Sequence, residues 1–185
     1  MADIPTDDDI AASVRKWVSA FVVDLDLCPF AGRELKKHRV RFATTGASTE
    51  DALLSALRSE LDLLERDSAV ETTLLIHPHV LQDFYDYNQF LDLADNLLRQ
   101  MDLEGVYQIA SFHPDYQFSG TQPEDAENYT NRSPYPLLHL LREDSIDRAI
   151  QDYPDIDQVP VRNTERMSAL GIRQLQILRD ACFDT

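Results

Sequence analysis

Two short apolar segments of this chain end in the same way, and this repeated ending constrains the fold more than any other feature. Residues 72–76 run directly into the tripeptide 77–79 (His-Pro-His), and residues 106–112 run into the tripeptide 113–115 (His-Pro-Asp). Each segment has the length and composition of a buried strand, and proline ends it because proline cannot donate to a strand's hydrogen-bond ladder. Ligands of open α/β sheets bind at the carboxyl ends of the strands. The two endings therefore predict where a functional site lies.

Three other segments repeat apolar residues every three or four positions, which is the spacing of an amphipathic helix. They cover residues 7–27, a stretch that begins near residue 48, and residues 80–98. The first segment is preceded by Thr6, and Asp9 follows three positions later, which is the pattern of a capping box. The sequence thus predicts a helix at the start of the chain and one helix before each apolar strand.

The order of these elements indicates the fold class. A short strand over residues 39–43 comes first, so the strands and helices alternate as β-α-β-α-β up to residue 112. This order favours a small three-stranded parallel or mixed sheet with helical crossovers. After residue 136 the pattern is helical throughout. The predicted helices there cover residues 137–143, 146–153, 161–170 and 173–183. We therefore expect a single α/β domain over residues 1–185, with an N-terminal helix and a helical C-terminal third.

A long segment over residues 113–136 has no regular period. Structureless loops of this length are uncommon inside a compact domain. Four aromatic residues within the segment argue against disorder, because disordered segments are poor in aromatic side chains. We therefore expect an ordered loop that packs over the edge of the sheet.

Charge and composition limit the partners and the location of the protein. The formal net charge is −16, so a phosphate polymer would be repelled and we expect no nucleic-acid partner. No apolar run approaches the roughly 20 residues that span a bilayer, so we expect no membrane partner. The acidic residues 1–9 differ from the basic start of a signal peptide, and the two cysteines form no disulfide framework, which together favour the cytoplasm. The one basic run, residues 33–41, is either a solvated stretch or an anion-binding patch.

The histidines at the strand ends admit two interpretations. His77 and His79 are two residues apart, so on an extended backbone both imidazoles would point the same way. With His113 they form a candidate ligand set for a divalent transition metal such as zinc, iron or manganese. Alternatively, His77, His113 and Asp115 would serve as catalytic acid–base groups near neutral pH. The structural alternative is that the prolines end the strands and the histidines satisfy buried backbone groups.

Cys28 is a further candidate catalytic residue. It precedes Pro29, and proline favours the first position of a helix. A cysteine that caps a helix start has its thiolate stabilised by the helix dipole, and it would then act as a nucleophile or redox centre. The alternative is a buried cysteine that fills space beside Phe30.

The end of the long loop, residues 128–136, is rich in side-chain donors. If Pro136 begins a helix, the donors just before it would form an anion site at the helix N-terminus. These candidate substrate-binding residues are Asn131, Arg132 and Ser133. On the predicted helix, His139 and Arg142 would share a face, the first as a candidate catalytic group and the second as a further substrate-binding residue. The alternative is a local network that holds the loop in place.

Three segments of the chain resemble one family. Residues 27–31, 111–118 and 130–143 are similar to the bacterial family known as domain of unknown function 1415, and the third segment is long and specific. The resemblance covers nearly the whole chain and implies a single unit of this size. It brings no activity, cofactor or catalytic residue to this chain.

Two functional hypotheses follow. The first is a small cytoplasmic enzyme, hydrolytic or group-transferring, that acts on an anionic small molecule at the carboxyl ends of its strands. The second is a non-catalytic module that binds a small anion or a partner protein. In the enzyme, the imidazoles of His77, His79 and His113 would lie within about 4–6 Å of one another and face a cavity. In the module, the histidines would be buried in separate hydrogen bonds.

Overall fold

A computed structural model describes residues 4–153 and 155–183, and residues 1–3 of the acidic start considered above lie outside it. Its centre is a mixed sheet of four strands in the order β1-β2-β4-β3. The strands are β1 (Val40–Thr44), β2 (Thr72–Ile76), β3 (Tyr107–Phe112) and β4 (Leu137–Arg142). The α/β class and the mixed sheet agree with the sequence prediction, but the predicted number of three strands is wrong.

The two ends of the sheet differ in which ends of the strands lie there. β1 and β2 are parallel, whereas β4 runs antiparallel to both β2 and β3. The carboxyl ends of β1, β2 and β3 therefore lie at one end of the sheet together with the beginning of β4, and we call this end the carboxyl edge. The amino edge is the opposite end, where β1, β2 and β3 begin and β4 finishes.

Helices cover both faces of the sheet. They are α1 (Asp7–Trp17), α2 (Ala31–Lys36), α3 (Glu50–Arg66), α4 (Phe84–Gln100), α5 (Glu143–Asp152), α6 (Val159–Leu170) and α7 (Ile172–Asp180). A π-helical stretch, Val18–Val23, extends α1. Within the described residues, no helix combines the length and the apolar character that a membrane crossing requires.

The local signals that begin the first two long helices are those expected from the sequence. The Thr6 side chain accepts a hydrogen bond from the Asp9 N–H, and the Asp9 carboxylate accepts one from the Thr6 N–H, so the capping box is present. Thr49 caps α3 through the N–H of Ala52. One stripe of α3 is buried to at least 99% at every position: Leu53, Leu57, Leu61 and Leu64.

The sheet separates two apolar cores. α3 and α4 pack on one face against side chains that include Leu75 and Leu138. α1, α6 and α7 pack on the other face against side chains that include Leu74 and Leu137. Neighbouring residues of β2 and β4 thus enter opposite cores, as the alternation of a strand requires. All five residues of β2 are buried for this reason.

The segment predicted as a helix over residues 137–143 is instead the strand β4. Its leucine-rich sequence suits a helix, and a short apolar run does not by itself distinguish a helix from a buried strand. The tertiary structure decides the outcome, because β4 fills the gap between β2 and β3 and pairs with both. The remaining predicted helices correspond to α5, α6 and α7 with small shifts of their ends.

The long loop between β3 and β4 contains a short 3-10 helix, Ala126–Asn131, and is held by internal hydrogen bonds. The buried Asn128 side chain accepts from the N–H of Phe118 at 2.9 Å and from the hydroxyl of Thr121 at 2.8 Å. At the carboxyl edge, the His113 N–H donates to the carbonyl of Asn131 at 3.2 Å. The loop therefore packs against the end of β3, in agreement with the sequence-based expectation.

Candidate functional site

His77 and His113 lie on the same face of the sheet at the carboxyl edge. His77 follows β2 and His113 follows β3, and both side chains have no solvent exposure. Tyr87 of α4 packs against both. Its ring centroid is 5.8 Å from that of His77 and 5.1 Å from that of His113. The two segments thus converge, and both imidazoles contact the same tyrosine ring.

The Tyr87 hydroxyl ties this cluster to the sheet. It donates to the carbonyl of Leu137 at 2.8 Å and accepts from the N–H of Phe112 at 3.0 Å. One buried oxygen therefore satisfies a backbone group at the end of β3 and another at the start of β4. Burial raises the pKa of this phenol, so the group is neutral throughout the ordinary pH range.

His77 is a neutral histidine with one free nitrogen. Its Nδ1 lies 3.0 Å from the carbonyl of Val80, and because a carbonyl only accepts, Nδ1 carries the proton. The other nitrogen, Nε2, is buried and has no hydrogen-bond partner within residues 4–153 and 155–183. Burial, with a smaller contribution from the charge of His113, lowers the pKa of His77 to about 4.

Both ring nitrogens of His113 are used by the backbone. Nε2 lies 3.1 Å from the carbonyl of Leu81 and donates to it, while Nδ1 accepts from the N–H of Asp115 at 3.0 Å. Burial lowers the pKa of this histidine as well. The two histidines thus hold the loop over residues 78–83 that leads into α4, and Leu81 adopts a positive φ of 58° in this loop.

The geometry does not support the predicted metal set of His77, His79 and His113. Residues 78 and 79 form a turn rather than an extended strand, so His79 is exposed while His77 is buried. His113 has no free nitrogen to offer a metal ion. Across the described part of the chain, no group of three or more histidine, cysteine, aspartate and glutamate side chains is placed to hold a metal ion.

The three donors at the end of the long loop bind carbonyl groups of the protein itself. Asn131 donates to the carbonyl of Ser111 at 3.0 Å, and the buried Ser133 hydroxyl donates to the carbonyl of Tyr135 at 2.6 Å. Because β4 follows Pro136, the expected helix N-terminus is absent there. These contacts match the local network that was the alternative interpretation of this segment.

Arg132 makes three contacts in that network. Its Nε donates to the carbonyl of Tyr116 at 3.0 Å and its Nη2 to the carbonyl of Pro123 at 2.8 Å, and its guanidinium lies 4.8 Å from the ring centroid of Tyr129. Charge-assisted hydrogen bonds of this kind are stronger than neutral ones.

Replacement of Arg132 should therefore loosen the loop. In Arg132→Met we expect amide hydrogen exchange over residues 116–123 to become about tenfold faster, which corresponds to roughly 1.4 kcal/mol of lost local stability. Arg173→Met, at an exposed position of α7, is the control and should leave these amides unchanged. Unaltered exchange in Arg132→Met would show that the loop is held by other contacts.

Cys28 does not cap a helix. α2 begins at Ala31 with Phe30 as its N-cap residue. Cys28 therefore lies two residues before the N-cap position that the nucleophile hypothesis requires. Cys28 is partly buried and is a free thiol. Within the described chain, the geometry brings it into no cluster of candidate metal ligands.

His139 and Arg142 lie on opposite faces of β4, because they are three residues apart on a strand rather than on a helix. The hydroxyl of Thr72 donates to the carbonyl of Leu140 at 2.6 Å, so His139 Nε2 donates to that hydroxyl over 2.8 Å. Burial lowers the pKa of His139 to about 4. His139 is thus a neutral structural residue of the α1 side, whereas Arg142 faces α3.

A second polar site, which the sequence does not predict, lies at the amino edge. It is a cleft of about 360 Å³ that is lined by three arginines. We call it the arginine cleft and define it by its lining residues: Arg39, Ser68, Glu71, Gly105, Val106, Arg142, Asp144 and Arg148. Part of this site is visible in the sequence, because Arg39 belongs to the basic run for which anion binding was one interpretation.

Two of the three arginines share one buried carboxylate. Glu71 has 7% relative exposure and receives Arg39 through Nη2. The other Glu71 oxygen accepts from the Ser145 hydroxyl and lies 3.7 Å from Nη2 of Arg148. Arg39 also lies 3.4 Å from Glu34. The charges of these arginines are therefore largely compensated within the protein.

Arg142 has no such compensation. Its Nη2 donates to the carbonyls of Leu64 at 2.6 Å and Val70 at 3.1 Å, and its Nη1 donates to the Tyr107 hydroxyl at 2.8 Å. Within the described residues, none of its nitrogens lies within 4.0 Å of a carboxylate oxygen. The contact with Leu64 satisfies an otherwise unpaired carbonyl at the end of α3, and this holds the guanidinium in place at the cleft.

Tyr107 links Arg142 to an acidic residue. Its hydroxyl accepts from Arg142 and donates to Glu65 at 2.8 Å. Burial and the hydrogen bond to Glu65 raise the pKa of Tyr107 to about 12, so the phenol stays protonated. The positive charge next to the cleft is therefore not cancelled by a phenolate.

The fold and these two sites define an α/β protein with a four-stranded mixed sheet, a buried histidine cluster at one edge and a charged cleft at the other. Residues 9–177 match the sequence model of the family described as Protein of unknown function (DUF1415), and the chain belongs to that family. No curated protein and no solved structure matches the chain.

Proposed function

We propose that this protein is a cytoplasmic binding module that holds a small anion in the arginine cleft. The observation that carries the proposal is the guanidinium of Arg142, which lines the cleft without a carboxylate partner among the described residues. A fixed cation of this kind attracts an anion strongly, because the surrounding protein leaves it less hydrated than a free side chain.

The size of the cleft favours a small molecule over a protein partner. Its volume of about 360 Å³ lies at the lower end of the roughly 300–1,000 Å³ that is usual for small-molecule sites. Three arginines and two carboxylates line the cleft, which contrasts with the net charge of −16 on the whole chain. An anionic ligand is therefore drawn to this cleft and repelled from most other parts of the surface.

The state of the histidines supports a module over an enzyme. A general base has to come within hydrogen-bond reach of the substrate. His77 and His113 are fully buried and donate to separate backbone carbonyls of one loop. This arrangement matches the structural alternative, in which the imidazoles hold the entry to α4.

Val106 provides a direct test of anion binding. Its side chain lines the cleft and is 44% exposed, and its N–H and carbonyl bond to backbone groups that a substitution leaves in place. Val106→Glu should weaken the binding of the tightest-bound probe among inorganic phosphate, sulfate and acetate by at least tenfold, because it adds a carboxylate beside Arg142. Isothermal titration calorimetry would measure the affinities.

The matched control is Val106→Gln, which has the same shape without the charge and should bind within about twofold of the unaltered protein. Should Val106→Glu fail to fold by circular dichroism, Arg148→Met at the exposed rim of the cleft replaces it, with the same expected direction. An unaltered protein that binds none of these anions and no carboxylate-bearing metabolite, or a Val106→Glu variant that binds them equally well, would refute the proposal.

A further inference from the structure

Resting on the proposed function, we infer that the ligand of the arginine cleft is a zwitterion that carries an ammonium group next to its carboxylate, as a free α-amino acid does. The inference comes from Asp144, which lines the same cleft as Arg142. Among residues 4–153 and 155–183, Asp144 has no cationic group within 4.0 Å. The cleft therefore offers one unpaired cation and one unpaired anion.

The remaining charges of the cleft do not alter this balance. Arg39 and Arg148 both face the buried carboxylate of Glu71, and Arg39 also faces Glu34. A dianion such as phosphate would gain Arg142 but would meet the repulsion of Asp144. A zwitterion would meet a partner of opposite sign at each end, so the charge pattern is complementary to it.

The spacing of the two charged groups is also compatible with an amino acid. They are more than 4.0 Å apart, since they form no ion pair, and both residues line one cleft of about 360 Å³. In an α-amino acid, the nitrogen and the carboxyl carbon are about 2.5 Å apart, as in any residue of the backbone. With a hydrogen bond of about 2.9 Å at each end, the ligand bridges groups roughly 8 Å apart.

The apolar part of the cleft lining fits a short side chain. Val106 presents an exposed apolar side chain, and Gly105 beside it has no side chain and a φ of 76° that favours glycine. Small aliphatic or hydroxylated amino acids therefore match the cleft better than large aromatic ones.

The test compares ligands that differ only in the ammonium group. The probes are alanine and propionate, valine and 3-methylbutanoate, and serine and 3-hydroxypropanoate, each titrated into the full chain by calorimetry. For the best pair, the unaltered protein should bind the amino acid at least tenfold more tightly than the acid. Asp144→Asn should reduce this ratio to about threefold or less, because it removes the partner of the ammonium group.

Asp147→Asn, at an exposed position of α5 outside the cleft, is the matched control and should keep the full ratio. Equal affinity for both members of every pair, or an unchanged ratio in Asp144→Asn, would overturn the inference while anion binding stands. Binding of phosphate or sulfate with no binding of any amino acid would do the same. Failure of every probe, including the simple anions, would instead refute the proposed function.

Discussion

The Tyr87→Phe variant is expected to lower the free energy of unfolding by about 2–4 kcal/mol, although it removes a single oxygen atom. That oxygen donates to the carbonyl of Leu137 and accepts from the N–H of Phe112, inside a residue that has no solvent exposure. Without it, two backbone groups between β3 and β4 lose their partner in a place that water does not reach. Each unsatisfied group costs roughly 1–3 kcal/mol. Urea denaturation followed by circular dichroism would measure the change.

Tyr85→Phe is the control for this prediction. Tyr85 lies on the same helix but is 72% exposed, so water replaces whatever its hydroxyl contacts and the change should be within about 0.5 kcal/mol. A loss below 1 kcal/mol in Tyr87→Phe would mean that the two backbone groups find other partners, and the tyrosine would then not be the link between the helix and the sheet.

The second large effect concerns acid stability. The pKa of His77 is 6.5 in the unfolded chain and about 4 in the folded protein, where burial disfavours the charged ring. As the pH falls from 6.5 towards 4, the unfolded chain therefore binds a proton at this residue that the folded protein does not bind. Protonation of this residue does not affect the free energy of unfolding above pH 6.5, and it lowers that free energy by about 3 kcal/mol between pH 6.5 and pH 4.

His77→Asn isolates this contribution, because the asparagine amide can still donate to Val80 but does not titrate. The variant should be less stable at pH 7, and its free energy of unfolding should fall less steeply between pH 6.5 and 4 than that of the unaltered protein. His79→Asn, at the exposed neighbouring histidine, should keep the original slope. Parallel pH profiles for all three proteins would contradict the assignment of His77 as a neutral buried group.

Much of the carboxyl edge could be predicted from local sequence. The strand over residues 72–76 was predicted to the residue, because five apolar or β-branched residues are stopped by a proline and nothing else competes for the segment. The convergence of His77 and His113 follows from the parallel direction of β2 and β3. The contact of the Tyr87 ring with both histidines could not be predicted, because it depends on how α4 packs against the end of the sheet.

The strand β4 and the arginine cleft could not be predicted in the same way. Residues 137–142 suit a helix locally and become a strand only because two other strands leave a gap between them. The predicted position of Arg142 was wrong for the same reason: on the predicted helix it shares a face with His139, whereas on the strand it lies on the opposite face. Arg39 and Arg148 are far apart in the chain and both reach Glu71, because β4 brings its carboxyl end beside the beginning of β2, which pairs with β1.

The position of β4 inside the sheet also affects how the nascent chain folds on the ribosome. Among the four described strands β4 is synthesised last, yet it lies between β2 and β3, so the earlier strands emerge before the segment that joins them. Until residue 142 is available, the edges of β2 and β3 that β4 will pair with stay open, and such edges invite association with other chains. Products of premature termination before residue 137 should therefore aggregate rather than accumulate as a smaller folded protein, because the sheet closes only after residues 137–142 have been made.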